Sequence, residues 1–282
     1  MTRVESFERT GGPPPQSPVV ISVPHAGRDY PLECAGLLRV DTARLVRLED
    51  RYVDALALQC GDAGHTLIIA RAARLWIDLN RSESELDPTM VTPTPAVTHF
   101  ITPKMRSGLG LIPRRLSGVG EIWTQKLTAT DVAARVALVH RPYHAAVADA
   151  LVAAQRRFGG AILIDLHSMP PLAGDEAPDI VIGDRFGRAA AAQLSDVARR
   201  LCVREGFRVA LNSPYAGGYI IERHARQAHN IHALQIEVDR RLYLDEALVE
   251  PGDGVARLQA LIAKLADTLR QSLPLLRTEA AE

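Results

Sequence analysis

The sequence predicts an α/β fold, a three-layer α/β/α arrangement around a mixed, mostly parallel sheet. Three observations carry that expectation. Strand-length apolar runs recur along the chain, most of them nearly continuous, as in strands covered on both faces. Helical patterns lie between them, the order expected of a sheet flanked by helices. The length, 282 residues, is enough to bury such a core as one α/β domain, and we read residues 1–282 as a single domain.

Taken in order, the segment from Gly11 to Pro18 is rich in Gly and Pro and reads as an irregular arm. PVVISV at 18–23 follows as the first strand, residues 42–60 carry a helical pattern, and TLIIA at 66–70 and RLWIDL at 74–79 read as strands. From Arg81 to Gly120 the pattern changes. Pro and Thr cluster there, and Gly108, Gly110, Gly118 and Gly120 interrupt any period, so this long excursion is either a lid or substrate wall or a disordered surface insertion. A helical pattern over 131–157 breaks near Pro142, and AILIDL at 161–166 and DIVIG at 179–183 return to strand character. Residues 186–205 are helical, and FRVAL at 207–211 and HALQIEV at 232–238 complete the strands. Near the end Val255, Leu258, Ile262, Leu265 and Leu269 recur at spacings of three and four, one apolar stripe on a last helix that caps the core.

Hydrophobic residues make up 47% and charged residues 23% of the chain, values that argue against extensive disorder. Lys plus Arg balances Asp plus Glu at 33 each, so no global basic field favours nucleic acid or an anionic membrane. The bias to Arg suits bidentate binding of carboxylates, although a GC-rich genome gives the same bias. Cys34, Cys60 and Cys202 form no CxxC pair, which suggests neither a disulfide framework nor a thiolate zinc site and fits a reducing cytoplasm. The start lacks a basic region followed by an apolar one, and no stretch reaches ~18 uninterrupted apolar residues, so we expect a cytoplasmic protein that neither is secreted nor spans a membrane.

Chemistry concentrates at strand ends. PVVISVP runs into His25, RLWIDL into Asn80 and Arg81, AILIDL into His167 and Ser168, and HALQIEV places Glu237 and Asp239 at its own end. In open α/β sheets ligands gather at the carboxyl ends of strands, which makes these groups candidates for one crevice. A lone strand-end histidine reads as a packed or exposed residue. Two of them within reach of carboxylates point to a metal, since neutral imidazole is a favoured zinc ligand. A catalytic zinc takes a third protein ligand, and Glu49, Asp50, Asp54 and Asp29 are the acidic candidates. Glu237 lies in an apolar run, ALQIEV, where burial raises a carboxyl pKa and suits a general base; a salt bridge to Arg240 or Arg241 is the competing reading.

The ordered set VPHAGRDYP, EDRYVDAL, IDLNR, RPYHAAV, LIDLHSMP, DIVIGDR, NSPYAGGYI and ALQIEVDRRLY resembles the N-formylglutamate amidohydrolases over positions 18–246. The resemblance implies a fold similar to the zinc carboxypeptidases and to the aspartoacylase and succinylglutamate desuccinylase group (phosphorylase/hydrolase-like), with zinc at the carboxyl edge of the sheet. It implies His25 as first ligand, His167 as last and Glu237 as catalytic glutamate. Arg28 stands where the peptidases' HxxE pattern has its glutamate, and Asp50 becomes the middle ligand because the family pattern carries an acid there. Arg81, Arg141 and Arg74 are candidate clamps for substrate carboxylates or an oxyanion, with Asn80 assisting Arg81. Tyr143 and His144 either line the pocket or pack, and Gly217 and Gly218 either bring backbone close to the substrate or form an ordinary turn. The implied reaction is hydrolysis of a small N-acyl amino acid, N-formyl-L-glutamate to formate and glutamate as in histidine breakdown. Another N-acyl amino acid or a peptide-like amide is the second enzymatic reading, and an anionic-metabolite binder the non-enzymatic one.

Overall fold

Continuous Val, Ile and Leu runs build a central sheet, because residues buried on both faces have no use for polar alternation. The computed structural model describes residues 6–34, 36–94 and 101–273. The sheet has seven strands: β1 (Phe7–Thr10), β2 (Val19–Val23), β3 (Thr66–Ala70), β4 (Ala161–Met169), β5 (Ile180–Gly183), β6 (Val209–Leu211) and β7 (Ile231–Asp239). Their order is β1-β3-β2-β4-β7-β5-β6. β3, β2, β4 and β7 pair in parallel, β7 and β5 pair antiparallel, and β5 and β6 return to parallel, so the sheet is mixed and mostly parallel. Every residue of β2, β3, β4 and β7 is buried. Helices lie on both sides, as the sequence predicts.

The chain divides into two compact units: Met1–Glu8, Pro24–Glu49 and Ala70–Ala145 form the smaller, and Arg9–Val23, Asp50–Ile69 and Ala146–Glu282 the larger. In the larger unit the principal helices are α1 (Val53–Asp62), most of α2 (Arg141–Phe158), α3 (Ala192–Arg204), α4 (Tyr219–His224) and α5 (Val255–Ser272). α5 buries Leu258, Leu261, Ile262, Leu265, Ala266 and Leu269 and packs on α1 and α3, as its apolar stripe predicts. α4 packs against β7 and β4. Among the described residues no helix is long and apolar enough to cross a membrane.

Several boundaries differ from the expectation. The helical pattern over 42–60 is interrupted: Thr42–Leu45 is α-helical, Val46–Leu48 forms a 3-10 turn, and α1 starts only at Val53. Glu49 is extended and Tyr52 is left-handed at φ 53°, so the chain turns between them and no helix face is shared by Asp50 and Asp54. The pattern over 186–205 becomes helical only at Ala192, because Arg185 and Phe186 are left-handed and Gly187 has φ 79°. The break near Pro142 takes the form of a π-helical turn at Val136–His140, the place where the proline lacks its N–H and its ring crowds the preceding turn.

The largest correction lies in the smaller unit. RLWIDL at 74–79 is not a strand; it is an irregular, largely buried segment. Its backbone groups find partners without a ladder. The carbonyls of Trp76, Leu79 and Arg81 accept from Arg135 Nη1 at 3.0 Å, His144 Nε2 at 3.0 Å and His140 Nε2 at 2.8 Å. The amides of Trp76 and Asp78 donate to Ala73 and Leu111 carbonyls. Once side chains satisfy the backbone in this way, an apolar run needs no neighbouring strand. The excursion after Arg81 is not a disordered insertion in its described part. It holds a short helix at Pro103–Arg106 and the two-residue strands Val91–Thr92 and Arg115–Leu116, which pair with Leu127–Thr128 and Gly120–Glu121, and it buries Met90, Val91, Met105, Leu111 and Ile112. Residues 95–100 of it lie outside the described residues.

Candidate active site

In the larger unit, parallel pairing brings two sequence-distant motifs into line. Gln235 lies beside Asp165 and Glu237 beside His167 across β7 and β4, while Ser22 of β2 lies beside Asp165 on its other flank. Alternate residues share a face of a strand, so Asp165, His167, Gln235 and Glu237 form one polar block on a sheet face. His167 Nε2 contacts Asp165 Oδ2 at 3.0 Å and Nδ1 contacts Asp50 Oδ2 at 2.9 Å. Asp165 in turn accepts from Ser22 Oγ at 3.0 Å. Asp50 sits just ahead of α1 and accepts from Arg240 Nη2 at 3.0 Å, while Arg240 Nε donates to Ser168 Oγ at 3.2 Å. Glu237 Oε1 accepts from Gln235 Nε2 at 2.8 Å.

Burial alone would lower the pKa of His167, but the charge of Asp165, hydrogen bonds donated by the ring to Asp165 and Asp50 and the charge of Glu237 outweigh it and hold the imidazole well above its ordinary range.

In the smaller unit, His25 follows β2 in a turn, and its Nε2 donates to Asp78 Oδ1 at 2.7 Å. Asp78 is fully buried, a condition that by itself raises a carboxyl pKa, yet Arg74, His25 and Arg81 bring it well below the carboxylate range. Arg74 Nε donates to Asp78 Oδ2 at 2.9 Å and the Asn80 amide to Oδ1 at 2.8 Å. Gly27 is required close by: a Cβ there would stand 2.1 Å from the Ala72 carbonyl oxygen, in the backbone segment that leads to Arg74 and Asp78.

Asp50 and His167 are buried and meet at 2.9 Å in the larger unit, and His25 is buried in the smaller. Two imidazoles and one carboxylate are a donor set for a divalent transition metal such as zinc. Each histidine also has a carboxylate on a ring nitrogen, Asp78 for His25 and Asp165 for His167, which is how ligating histidines are held in one tautomer and orientation. The residues fit a metal ion.

A model of the N-formylglutamate amidohydrolase family matches residues 17–244. The chain belongs to the N-formylglutamate amidohydrolase family. It is accordingly an amidohydrolase. It is 28% identical over 282 residues to the N-formylglutamate deformylase of Pseudomonas aeruginosa, covering 95% of this chain and 97% of that one. The N-formylglutamate deformylase of Pseudomonas putida is also 28% identical, over 264 residues covering 87% and 92%. The crystal structure of N-formylglutamate amidohydrolase from Ralstonia eutropha superposes with a TM-score of 0.87 at 33% identity, covering 98% of this chain and 100% of that one.

Against this family frame the other candidates separate. Arg81 is buried and donates from Nε to the Leu109 carbonyl at 3.0 Å and from Nη1 to the Asn80 carbonyl at 2.8 Å. Arg141 has a side chain 64% exposed and turns its fork onto Glu83, at 3.0 and 2.8 Å. An exposed ion pair contributes little, so Arg141→Ala is expected to leave KM unchanged; a raised KM in steady-state assays would place Arg141 in substrate binding. Tyr143 is fully buried, edge-on to Phe7, and His144 is buried on the Leu79 carbonyl. Gly218 donates its amide to Gln235 Oε1 at 2.8 Å. Gly217 has φ 112°, and a Cβ there would stand 2.1 Å from Ile221 Cδ1. Of the alternative acids, Glu49 accepts from the Tyr30 hydroxyl, Asp29 pairs with Arg71 at 3.1 Å, and Asp54 stands in the first turn of α1.

Asp78, Asp165, Gln235 and Arg240's contact with Asp50 were not legible as site features. A signal existed for the two aspartates. Each is the acid of an Ile-Asp-Leu tripeptide, an ionisable group inside an apolar run that demands a partner.

Proposed function

We propose that this chain hydrolyses N-formyl-L-glutamate to formate and L-glutamate, with zinc held by His25, Asp50 and His167 and with Glu237 as the general base. The observation that carries the proposal is the buried His167 held between Asp50 and Asp165 with Glu237 in register beside it. Bound zinc would supply Lewis-acid polarisation of the amide carbonyl and a more acidic water. Glu237, 7% exposed, accepts a proton from the attacking water as the new C–O bond forms. It then returns that proton to the leaving nitrogen as the C–N bond breaks, so one carboxyl acts first as base and then as acid. Asp165 and Asp78 keep the two imidazoles oriented. Arg74 and Arg81, in the segment that also supplies Asp78 and Asn80, are the proposed cationic partners of the substrate's carboxylates.

The test is metal analysis together with formate release from N-formylglutamate, N-formylaspartate, N-acetylglutamate and N-succinylglutamate. Stoichiometric zinc and fastest turnover of N-formylglutamate are the expected results. Faster turnover of another N-acyl amino acid would overturn the substrate, and full activity after complete metal removal would overturn the zinc. Asp165→Asn is expected to weaken zinc affinity or activity by about 10–100-fold, the usual loss when a ligand histidine loses its carboxylate; zinc titration with a competing chelator measures it.

A further inference from the structure

Gln235 lies in the buried stretch of β7, 4% exposed, between Asp165 of β4 and Gly183 of β5. An amide in such a place is costly unless both its ends are paired. Here both ends are. The Gly218 amide donates to Gln235 Oε1 at 2.8 Å, and Gln235 Nε2 donates to Glu237 Oε1 at 2.8 Å. The two neighbours also decide which way the amide points. A backbone N–H only donates, so the carbonyl end must face Gly218. The NH2 end then faces Glu237, which meets it as an acceptor.

The neighbouring Asp165 does not compete for this amide in the hydrogen bonds described, being held by Ser22 and His167. The anchor itself is set by the loop before α4. Gly217 there has the positive φ that a side chain resists, and the chain docks on the end of β5 through the Arg185 amide on the Ala216 carbonyl at 2.8 Å. A rigid backbone donor thus fixes Gln235, and Gln235 fixes one oxygen of Glu237.

We propose that Gln235 is a positioning residue for Glu237: it ties Oε1 to the Gly218 backbone, so that Oε2 is the oxygen that exchanges the proton with water and leaving nitrogen. This deepens the proposed function and rests on Glu237 being the general base. The chemistry follows from the direction of the hydrogen bond. An oxygen that accepts from a fixed NH2 group cannot turn a proton of its own toward that donor, whereas the second oxygen of the same carboxyl is oriented by the tie.

The experiment is a double-mutant cycle in the zinc-loaded enzyme, with Gln235→Met, which keeps the length and removes the donor, combined with Glu237→Asp, whose shorter carboxylate no longer reaches the amide. kcat, KM, zinc content and Tm are read for all four proteins. Gln235→Met is expected to lower kcat by about 10- to 100-fold, as misplacing a reacting group does, with KM and zinc content retained. In the Glu237→Asp background the same substitution is expected to change kcat very little, because residues that act through one another are not additive. An equal loss in both backgrounds, a loss confined to KM, or no loss would overturn the proposal. Full activity in Glu237→Asp and in Glu237→Gln would instead remove Glu237 from the reaction, a failure of the proposed function that the cycle distinguishes. If Gln235→Met does not fold, Gln235→Thr, which suits a strand and is too short to reach Glu237, takes its place with the same outcomes.

Discussion

Glu237→Gln is expected to leave zinc bound and to lower kcat by about 10²–10⁴-fold, the contribution of a positioned acid–base group. The substitution keeps the shape of the side chain and leaves an oxygen to accept from Gln235 Nε2, so β7 and its register with β4 should be unchanged. What it removes is the capacity to take a proton from water. Activity and zinc content measured on the same sample separate the two effects. Full turnover in the zinc-loaded variant would show that the proton is taken elsewhere.

His167→Ala is expected to lose zinc and turnover together and also to destabilise the fold. His167 stands between Asp50 and Asp165, with Glu237 beside it in the sheet, and its imidazole is the shared partner of the first two carboxylates. Its removal strips a ligand from the proposed zinc site and leaves buried acids with Arg240 as the cation bound to Asp50. Breaking a buried ion pair by deleting one partner costs about 3–5 kcal/mol. Urea unfolding of the variant, compared with the parent protein freed of metal, isolates that cost from the contribution of bound zinc. Retention of stoichiometric zinc in His167→Ala would eliminate this residue as a ligand.

The two predictions depend on different kinds of information. The strand character of AILIDL and HALQIEV, the stripe on α5 and the ordered family motifs are properties of short stretches, and they were legible because backbone period and side-chain type are local. Even the block of polar residues leaves a local trace. Asp165 and His167 in one strand, and Gln235 and Glu237 in another, are each two positions apart, the spacing that places side chains on one face. Read as continuous apolar runs, the strands concealed that alternation.

RLWIDL marks where local reading fails. Its composition is that of a buried strand, but Arg135 and His144, about 60 residues away in sequence, take up its carbonyls, and His140 takes up that of Arg81 just beyond it. The same contacts explain two site candidates. His144 serves the Leu79 carbonyl, and Arg141, one helical position from His140, turns outward to Glu83. Nothing in RPYHAAV itself distinguishes those roles, because each depends on which segment lies opposite.

By itself, then, the sequence determined the α/β class, the strands that carry His167 and Glu237, and the family to which the chain belongs. Only the tertiary structure decided that Glu237 lies beside His167, that Asp50 reaches its ring and that Gln235 links Glu237 to the Gly218 backbone. The physical reason is register. A parallel pairing of β4 with β7 joins residues 70 apart in sequence, and a slip of one position would turn every one of these side chains to the opposite face.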